Sequence, residues 1–384
     1  MPAKAALRLI SVRVLLLPVA VATLFSLLTS DASAQAHTNV QTVFLIVMEN
    51  AHWSQIKGSA SAPFINNTLL PVASYCAQYY TPPGFASSLP DYLWLEGGTN
   101  YGILDSAEPS AHVITSTNHL VTRLKNAGIS WKTYQENITG SACPTSSSGL
   151  YAAYHNPFVY FTDIISNATY CVSHQRPYSE LAGDLRSNTV ARYNFITPNL
   201  CNDMHNSSGC ATTDRIRNGD NWLALEVPKI LNSQAYSNNG AIFITWDEGE
   251  NQGRGPIGMI VLSPLAKGRG YSNTNFYTHS SMLRTVQEIF GLRPFLADAA
   301  NAASLSDLFR PTIFLKSPVL QTNQHFQFTL TGVSPGKTNV LQASTNLATW
   351  VALSTYMFST NTVTVSDPAA SNFNRRYYRV FQTE

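Results

Sequence analysis

VQTVFLIVMEN, Val40 to Asn50, is a run of apolar and β-branched residues that stops abruptly at Glu49 and Asn50. It shows no alternation of polar and apolar positions, so both faces of the strand must be covered, as in the middle of a parallel sheet. GAIFITWDEGE, from Gly240, repeats the pattern and also ends in acids, and PIGMIVLSP, from Pro256, reads as a neighbouring strand. Helical patterns lie between and after them: HVITSTNHLVTRLKNAG (112–128), NWLALEVPKILNSQAY (221–236) and SSMLRTVQEIFGL (280–292), the last with Gly291 as its stop. Strands alternating with helices predict a layered α/β/α domain with a mainly parallel central sheet. In such a sheet, functional residues sit at the carboxyl ends of the strands.

Outward from that core the chain changes character twice. Residues 1–36 carry Lys4, Arg8 and Arg13 before an apolar run of about 15 residues, then the small-residue patterns Ala32-Ser-Ala34 and Ala34-Gln-Ala36. This is the layout of a secretory signal peptide, cleaved near Ala34 or Ala36. The rival reading, a retained anchor, needs about 20 residues, and the run is interrupted by Pro18. The mature chain is then expected to be secreted or periplasmic, and no later stretch has transmembrane length. A low-charge connector, RPFLADAANAASLSDLFRP (293–311), ends the large unit. Beyond it, HFQFTLTG, TNVLQAST and NTVTVSD are short β-type runs broken by Gly, Pro, Asn and Ser. The expected organisation is a signal peptide over 1–36, a catalytic domain over 37–313 and a small β-sandwich-like module over 314–384.

Only 12% of the 384 residues are charged, 24 basic against 22 acidic, about half the usual share. With 44% hydrophobic residues, the chain is not disordered. A net charge of +2 offers no basic surface for nucleic-acid duplexes. Removing the leader takes away three basic residues and one acid and leaves the formal charge balanced. Five cysteines remain, none in a CxxC. Cys143 with Cys171 and Cys201 with Cys210 are close enough in sequence to form loop staples in an oxidising compartment, and Cys76 reads as a buried free thiol.

In so charge-poor a chain, two strands ending in acids stand out. Adjacent carboxylates repel unless a proton or cation lies between them, and hard oxygen donors in that number suit a divalent ion; the alternative is helix caps and surface turns. TPPGFASSLPDYLWLEGG places Ser87-Ser88 directly before Leu89-Pro90, a hydroxyl at a helix entrance. There it is either a nucleophile beside an oxyanion site or a simple cap. His155, His205 and His279 fall in polar loops, and Asp203-Met-His205 puts two ligands on one side if that segment is extended. Trp94, Tyr79, Tyr80, Phe85 and the aromatic 151–161 stretch line either an entrance or the core.

Taken in order, MEN, SSLPDY with GG, YHNPF, TPNLCNDMH, TWDE, SPLAKG and YTHSSMLRTVQEIFGL resemble the bacterial phosphoesterase family of secreted acid phosphatases and phospholipase C type enzymes. That family belongs to the alkaline-phosphatase-like superfamily. The resemblance covers roughly residues 40–295. It implies that Glu49 is an acidic metal ligand with Asn50 as its companion amide at phosphate, and that Ser88 is the nucleophile. It implies that Asp247 and Glu248 are a late acidic pair. Asp203, His205 and His279 resemble a second ligand group, and His155 a residue that contacts phosphate or gives a proton. Glu248 stands where several branches carry His, which hardens the ligand set.

The expected activity is a metal-dependent phosphomonoesterase of the acid phosphatase type, working through a phosphoserine with His155 or His205 as proton donor. One or two divalent ions are expected, drawn from Ca, Mg, Mn and Zn. The expected substrates are small phosphate esters or phosphorylated lipid headgroups. The alternatives are a phospholipase C or phosphodiesterase, and a non-catalytic phosphate- or glycan-binding protein.

Overall fold

A computed structural model describes residues 36–84, 87–249, 255–311, 313–333, 336–360 and 362–382. The leader and Phe85 lie outside the described residues. The ten strands of the larger unit are β1 (Thr42–Met48), β2 (Ser74–Cys76), β3 (Tyr79–Tyr80), β4 (Trp131–Gln135), β5 (Gln175–Pro177), β6 (Tyr193–Thr197), β7 (Gly240–Trp246), β8 (Met259–Leu262), β9 (Tyr271–Asn273) and β10 (Tyr277–Thr278). Eight of them form one sheet in the order β5-β4-β6-β1-β7-β8-β2-β9, and β3 pairs with β10.

β1 lies at the centre, parallel to β6 on one side (Val43 opposite Tyr193) and to β7 on the other (Met48 opposite Trp246). Val43 to Met48 and all of β7 are buried, as continuous apolar strands covered on both faces must be. The sheet is mainly parallel as expected, but β8 runs antiparallel to both β7 and β2. The chain therefore reverses direction between Trp246 and Met259.

The helix Ser88–Gly97 ends on Gly98, whose φ of 69° favours a residue without Cβ. A Cβ on the preceding Gly97 would run into the Tyr101 ring, so each glycine of the pair has its own reason. The helix His279–Ile289 packs against it, Trp94 Nε1 donating to Ser280 Oγ at 2.6 Å. It stops where expected, with Gly291 at φ 66°.

One expectation needs correction. Of residues 112–128, only Leu120–Asn126 is helical. The β-branched stretch before it is irregular, and Ile114 bridges Phe161. The 293–311 connector packs into the large unit, with Leu296, Leu305, Leu308 and Phe309 buried in the main core.

Beyond it, Phe314–Leu320, Phe326–Thr331 and Thr362–Asp367 form one three-stranded antiparallel sheet, and Thr338–Ser344, Val351–Met357 and Tyr377–Gln382 form another. Phe328, Leu330, Val333, Leu341 and Val365 make a small core of their own. The aromatics of this part do structural work: Tyr378 stacks on Phe326 with centroids 5.2 Å apart. Both expected disulfides, Cys143–Cys171 and Cys201–Cys210, are formed, and Cys76 is buried and free, its thiol pushed up to about 12 by burial. Among the described residues no helix is long and apolar enough to cross a membrane.

Candidate active site

The carboxyl ends of β1, β6 and β7 lie side by side in the sheet, β1 flanked by both. Glu49 follows β1 and is fully buried. Its Oε1 accepts the Tyr92 hydroxyl at 2.8 Å and lies 3.0 Å from His155 Nε2. Its Oε2 accepts from Asn50 Nδ2 at 2.8 Å and from Ser88 Oγ at 3.3 Å. Tyr92 stands four residues after Ser88, on the same helix face, and its ring stacks on His155 with an interplanar angle of 11°.

Asp203 approaches from the turn after β6. Its carbonyl accepts the Glu49 N–H at 2.7 Å, and its Oδ2 lies 3.4 Å from His155 Nδ1. Glu49, His155 and Asp203 thus present ligand atoms within 4.8 Å of one another, all buried. The segment holding Asp203 is not extended: Met204 has φ 83°, so His205 does not point alongside Asp203. The half-buried His205 instead has Nδ1 3.0 Å from the Asn206 carbonyl, and its ring lies 5.9 Å from that of His155.

Asp247 is sewn to the end of β1 by its own N–H, which reaches the Met48 carbonyl at 2.9 Å, and by its Oδ1, which accepts the Asn50 N–H at 3.1 Å. Asn50 achieves this at φ 43°, and its carbonyl accepts from Arg215 Nη1 at 2.8 Å. Glu248 follows, nearly buried. His279 is engaged at both ring nitrogens. Nε2 donates to the Asp247 carbonyl at 2.7 Å, which leaves Nδ1 to accept the Tyr79 hydroxyl at 3.1 Å. It braces the end of β7 and stands outside the Glu49–His155–Asp203 group. Asp91, three residues after Ser88, is buried with Oδ1 3.6 Å from His279 Nε2.

The electrostatics follow from this crowding. Burial, then the charges of Asp247 and Asp203, push Glu49 well above the ordinary carboxylate range. Burial likewise raises Asp203, Asp247 and Asp91. Glu248 is pushed up to about 8 by burial and then by Asp247. Burial drives His155 well below its ordinary value, with His205 adding to the effect, and lowers His279 to about 4.

Asp203 Oδ2, Asp247 Oδ2 and Asp91 Oδ2 are buried without a hydrogen-bond donor, an expensive arrangement for a carboxylate. Glu49 meets hydroxyls, an amide and an imidazole, all from neutral side chains or a histidine whose charge burial disfavours. A buried Glu/His/Asp cluster of this kind can hold a divalent metal, which fits both the donor set and the orphaned oxygens.

Three contributors were missed from sequence. Tyr92 was legible as the residue one helical turn beyond Ser88. Asp91 lay in the same first turn. Glu136 follows β4 in WKTYQEN, another strand ending in an acid and an amide. Its Oε2 accepts the Asn199 N–H and Asn202 Nδ2, both at 2.8 Å, and its Oε1 accepts Trp222 Nε1 at 2.9 Å, which fixes the loop leading to Asp203. Of the proposed entrance aromatics, Tyr79 is buried, Trp94 ties two helices together and Tyr80 stacks on Phe276.

A buried serine facing clustered acids at the carboxyl edge of an α/β sheet is the arrangement of a hydrolase of phosphoric esters. The chain belongs to the Phosphoesterase family, whose model matches residues 72–293. That span includes Ser88, His155, Asp203, Asp247 and His279, while Glu49 and Asn50 precede it.

The chain is 28% identical over 279 residues to a phosphatidylinositol-3-phosphatase of Mycobacterium tuberculosis, covering 72% of this chain and 85% of that protein. It is 25% identical over 255 residues to a probable acid phosphatase of Kluyveromyces lactis, covering 64% of this chain and 56% of the other. It is 25% identical over 266 residues to phospholipase C B of M. tuberculosis, covering 59% and 49%. The chain thus spans about half the length of the latter two.

Proposed function

We propose that this protein is a metal-dependent phosphomonoesterase of the acid phosphatase type, acting through a phosphoserine at Ser88. The observation that carries the proposal is the Ser88 hydroxyl, at a helix entrance and 3.3 Å from a fully buried carboxylate crowded by other acids. Glu49, Asp203 and His155 would hold a divalent cation, with Asp247, Glu248 and Asn50 adjoining them. When bound, the cation supplies charge to the phosphate oxygens and lowers the pKa of the serine hydroxyl.

The chain's own groups do the rest. The Asn50 side chain and the Ser88 N–H, the one N–H of the first helical turn not taken by Ser106 or lost to Pro90, hold the phosphate oxygens as charge develops on them. Ser88 Oγ passes its hydrogen to Glu49 Oε2 and attacks phosphorus in line. The Oγ–P bond forms, the ester P–O bond breaks, and His205 gives the departing alcohol its proton. Water then gives a proton to His205 and attacks phosphorus, the Oγ–P bond breaks, phosphate leaves and Glu49 returns the hydrogen to Ser88.

The substrate class is phosphomonoesters, including phosphorylated inositol headgroups, in keeping with similarity to the phosphatidylinositol-3-phosphatase over most of that protein's length. Similarity to a phospholipase C keeps diesters as the second reading. We also place the mature chain outside the cytoplasm, supported by its two disulfides, with 37–313 as catalytic domain and 314–384 as a separate module.

The test is Ser88→Ala, which should abolish turnover and leave fold and metal content intact; near-normal turnover sinks the nucleophile assignment. Rates on p-nitrophenyl phosphate, bis-p-nitrophenyl phosphate and phosphatidylcholine separate monoester from diester chemistry.

A further inference from the structure

The geometry points to Ser106 as the residue that positions the nucleophile, a role that rests on the reading of Ser88 above. The helix begins at Ser88, so the residue placed to cap it is Ser87. An ordinary cap accepts the N–H of the second or third helical residue. Here the third is Pro90, which has no N–H. The second, Leu89, donates at 3.1 Å to Ser106 Oγ, a side chain 17 residues away, and Ser87 makes no cap bond of its own. Ser87 Oγ instead lies 2.6 Å from the same Ser106 hydroxyl. One oxygen therefore grips the residues on both sides of Ser88 and leaves the Ser88 hydroxyl to face Glu49.

Ser106 is itself held firmly. Asp105 Oδ1 accepts the Ala107 N–H at 3.0 Å and lies 2.5 Å from His112 Nε2. The Ala107 carbonyl accepts the Tyr160 hydroxyl at 2.8 Å. Tyr160 is a buried ring in the turn that directly follows His155. The segment carrying His155 thus also sets the position of Ser106, and through it the entrance of the Ser88 helix. No sequence motif connects these residues; only the folded chain brings position 106 to position 88.

An in-line attack is sensitive to displacements of an ångström or less, whereas the phosphate contacts at Asn50 and the acid cluster do not pass through Ser106. Losing its hydroxyl should therefore slow the chemical step without loosening binding. The experiment compares Ser106→Ala and Ser106→Thr with the wild type on p-nitrophenyl phosphate at saturating divalent cation. It measures kcat, KM, the cation concentration at half-saturation and Tm.

Ser106→Ala should lower kcat about tenfold, with KM and cation half-saturation within about twofold of wild type, and Ser106→Thr should restore most of the loss. A wild-type kcat in Ser106→Ala overturns the role. So does a Ser106→Thr variant as impaired as the alanine, because the hydroxyl would then not be what matters. Ser88→Ala run in parallel separates the two failures. If it is dead while Ser106→Ala is fully active, only the positioning role falls; if it is active, the nucleophile reading falls and takes this role with it.

Discussion

His119→Leu offers a quantitative test of the scaffold behind the site. The His119 ring is buried, with Nδ1 2.8 Å from Glu96 Oε1 and Nε2 3.1 and 3.2 Å from the two oxygens of Asp163. It stacks on Phe161 with centroids 3.9 Å apart. Burial opposes its charge, but the bonds to Asp163 and Glu96 outweigh that and raise it from 6.5 to about 9.

The two acids respond differently. Burial keeps Glu96 above its ordinary value, while the half-buried Asp163 lies below its own. We take Asp163 as the charged partner, with Glu96 acting chiefly as a hydrogen-bond acceptor. A rise of that size is worth about 3 kcal/mol, in line with the roughly 3–5 kcal/mol lost when one member of a buried pair is removed.

The sign is that of a histidine whose pKa is raised by folding. The stabilisation is complete below pH 6.5, declines between 6.5 and about 9, and is lost above that. At about 2 °C per kcal/mol for a chain of this size, His119→Leu should melt about 6 °C below wild type at acidic pH. The gap should narrow as pH passes about 9. Paired thermal melts from acidic to alkaline pH, at one scan rate with disulfides intact, measure this. Because Glu248 also titrates in the window, at about 8, the difference between the two proteins is the quantity to read. A gap that stays constant across that range would refute the buried imidazolium.

Three further outcomes follow from the site. Tyr92→Phe removes the 2.8 Å bond to Glu49 and should raise the half-saturating cation concentration several-fold while kcat at saturation changes little, as read by metal titration of activity. Glu136→Gln weakens an acceptor of three donors beneath the Asp203 loop; it should lower stability by about 2 kcal/mol and reduce turnover, measured by melting and phosphate release. Chelation should stop phosphate release and lower Tm, because it leaves the buried acids unneutralised, and a divalent ion should restore both.

Much of this was legible in the chain itself. β1 and β7 were readable because continuous apolar runs have one good home, the covered middle of a sheet, and their terminal acids marked the active edge. Gly291 and the cysteine spacings were read correctly for equally local reasons. What escaped was set by distant partners. Residues 112–119 looked helical, but Ile114 exchanges backbone bonds with Tyr160 and Thr162. The reversal of β8 depends on what the chain does after Trp246. The left-handed turn at Met204 redirected His205 away from Asp203. Glu136 carried the same strand-end signal as Glu49, and it was passed over because its strand mixes Lys and Gln with its aromatics.

The two disulfides have a consequence for when the enzyme can work. Cys143–Cys171 spans the segment containing His155, and Cys201–Cys210 spans Asp203 and His205. Both belts around the active edge are fastened only by oxidation. A reduced chain carries the residues proposed for the site but lacks the closures around His155, Asp203 and His205. On the proposed function, the reduced chain is expected to have little activity until both disulfides form. Phosphate release should accordingly collapse under reductant and return on reoxidation; full activity in the reduced protein would show that the belts are ornamental to catalysis.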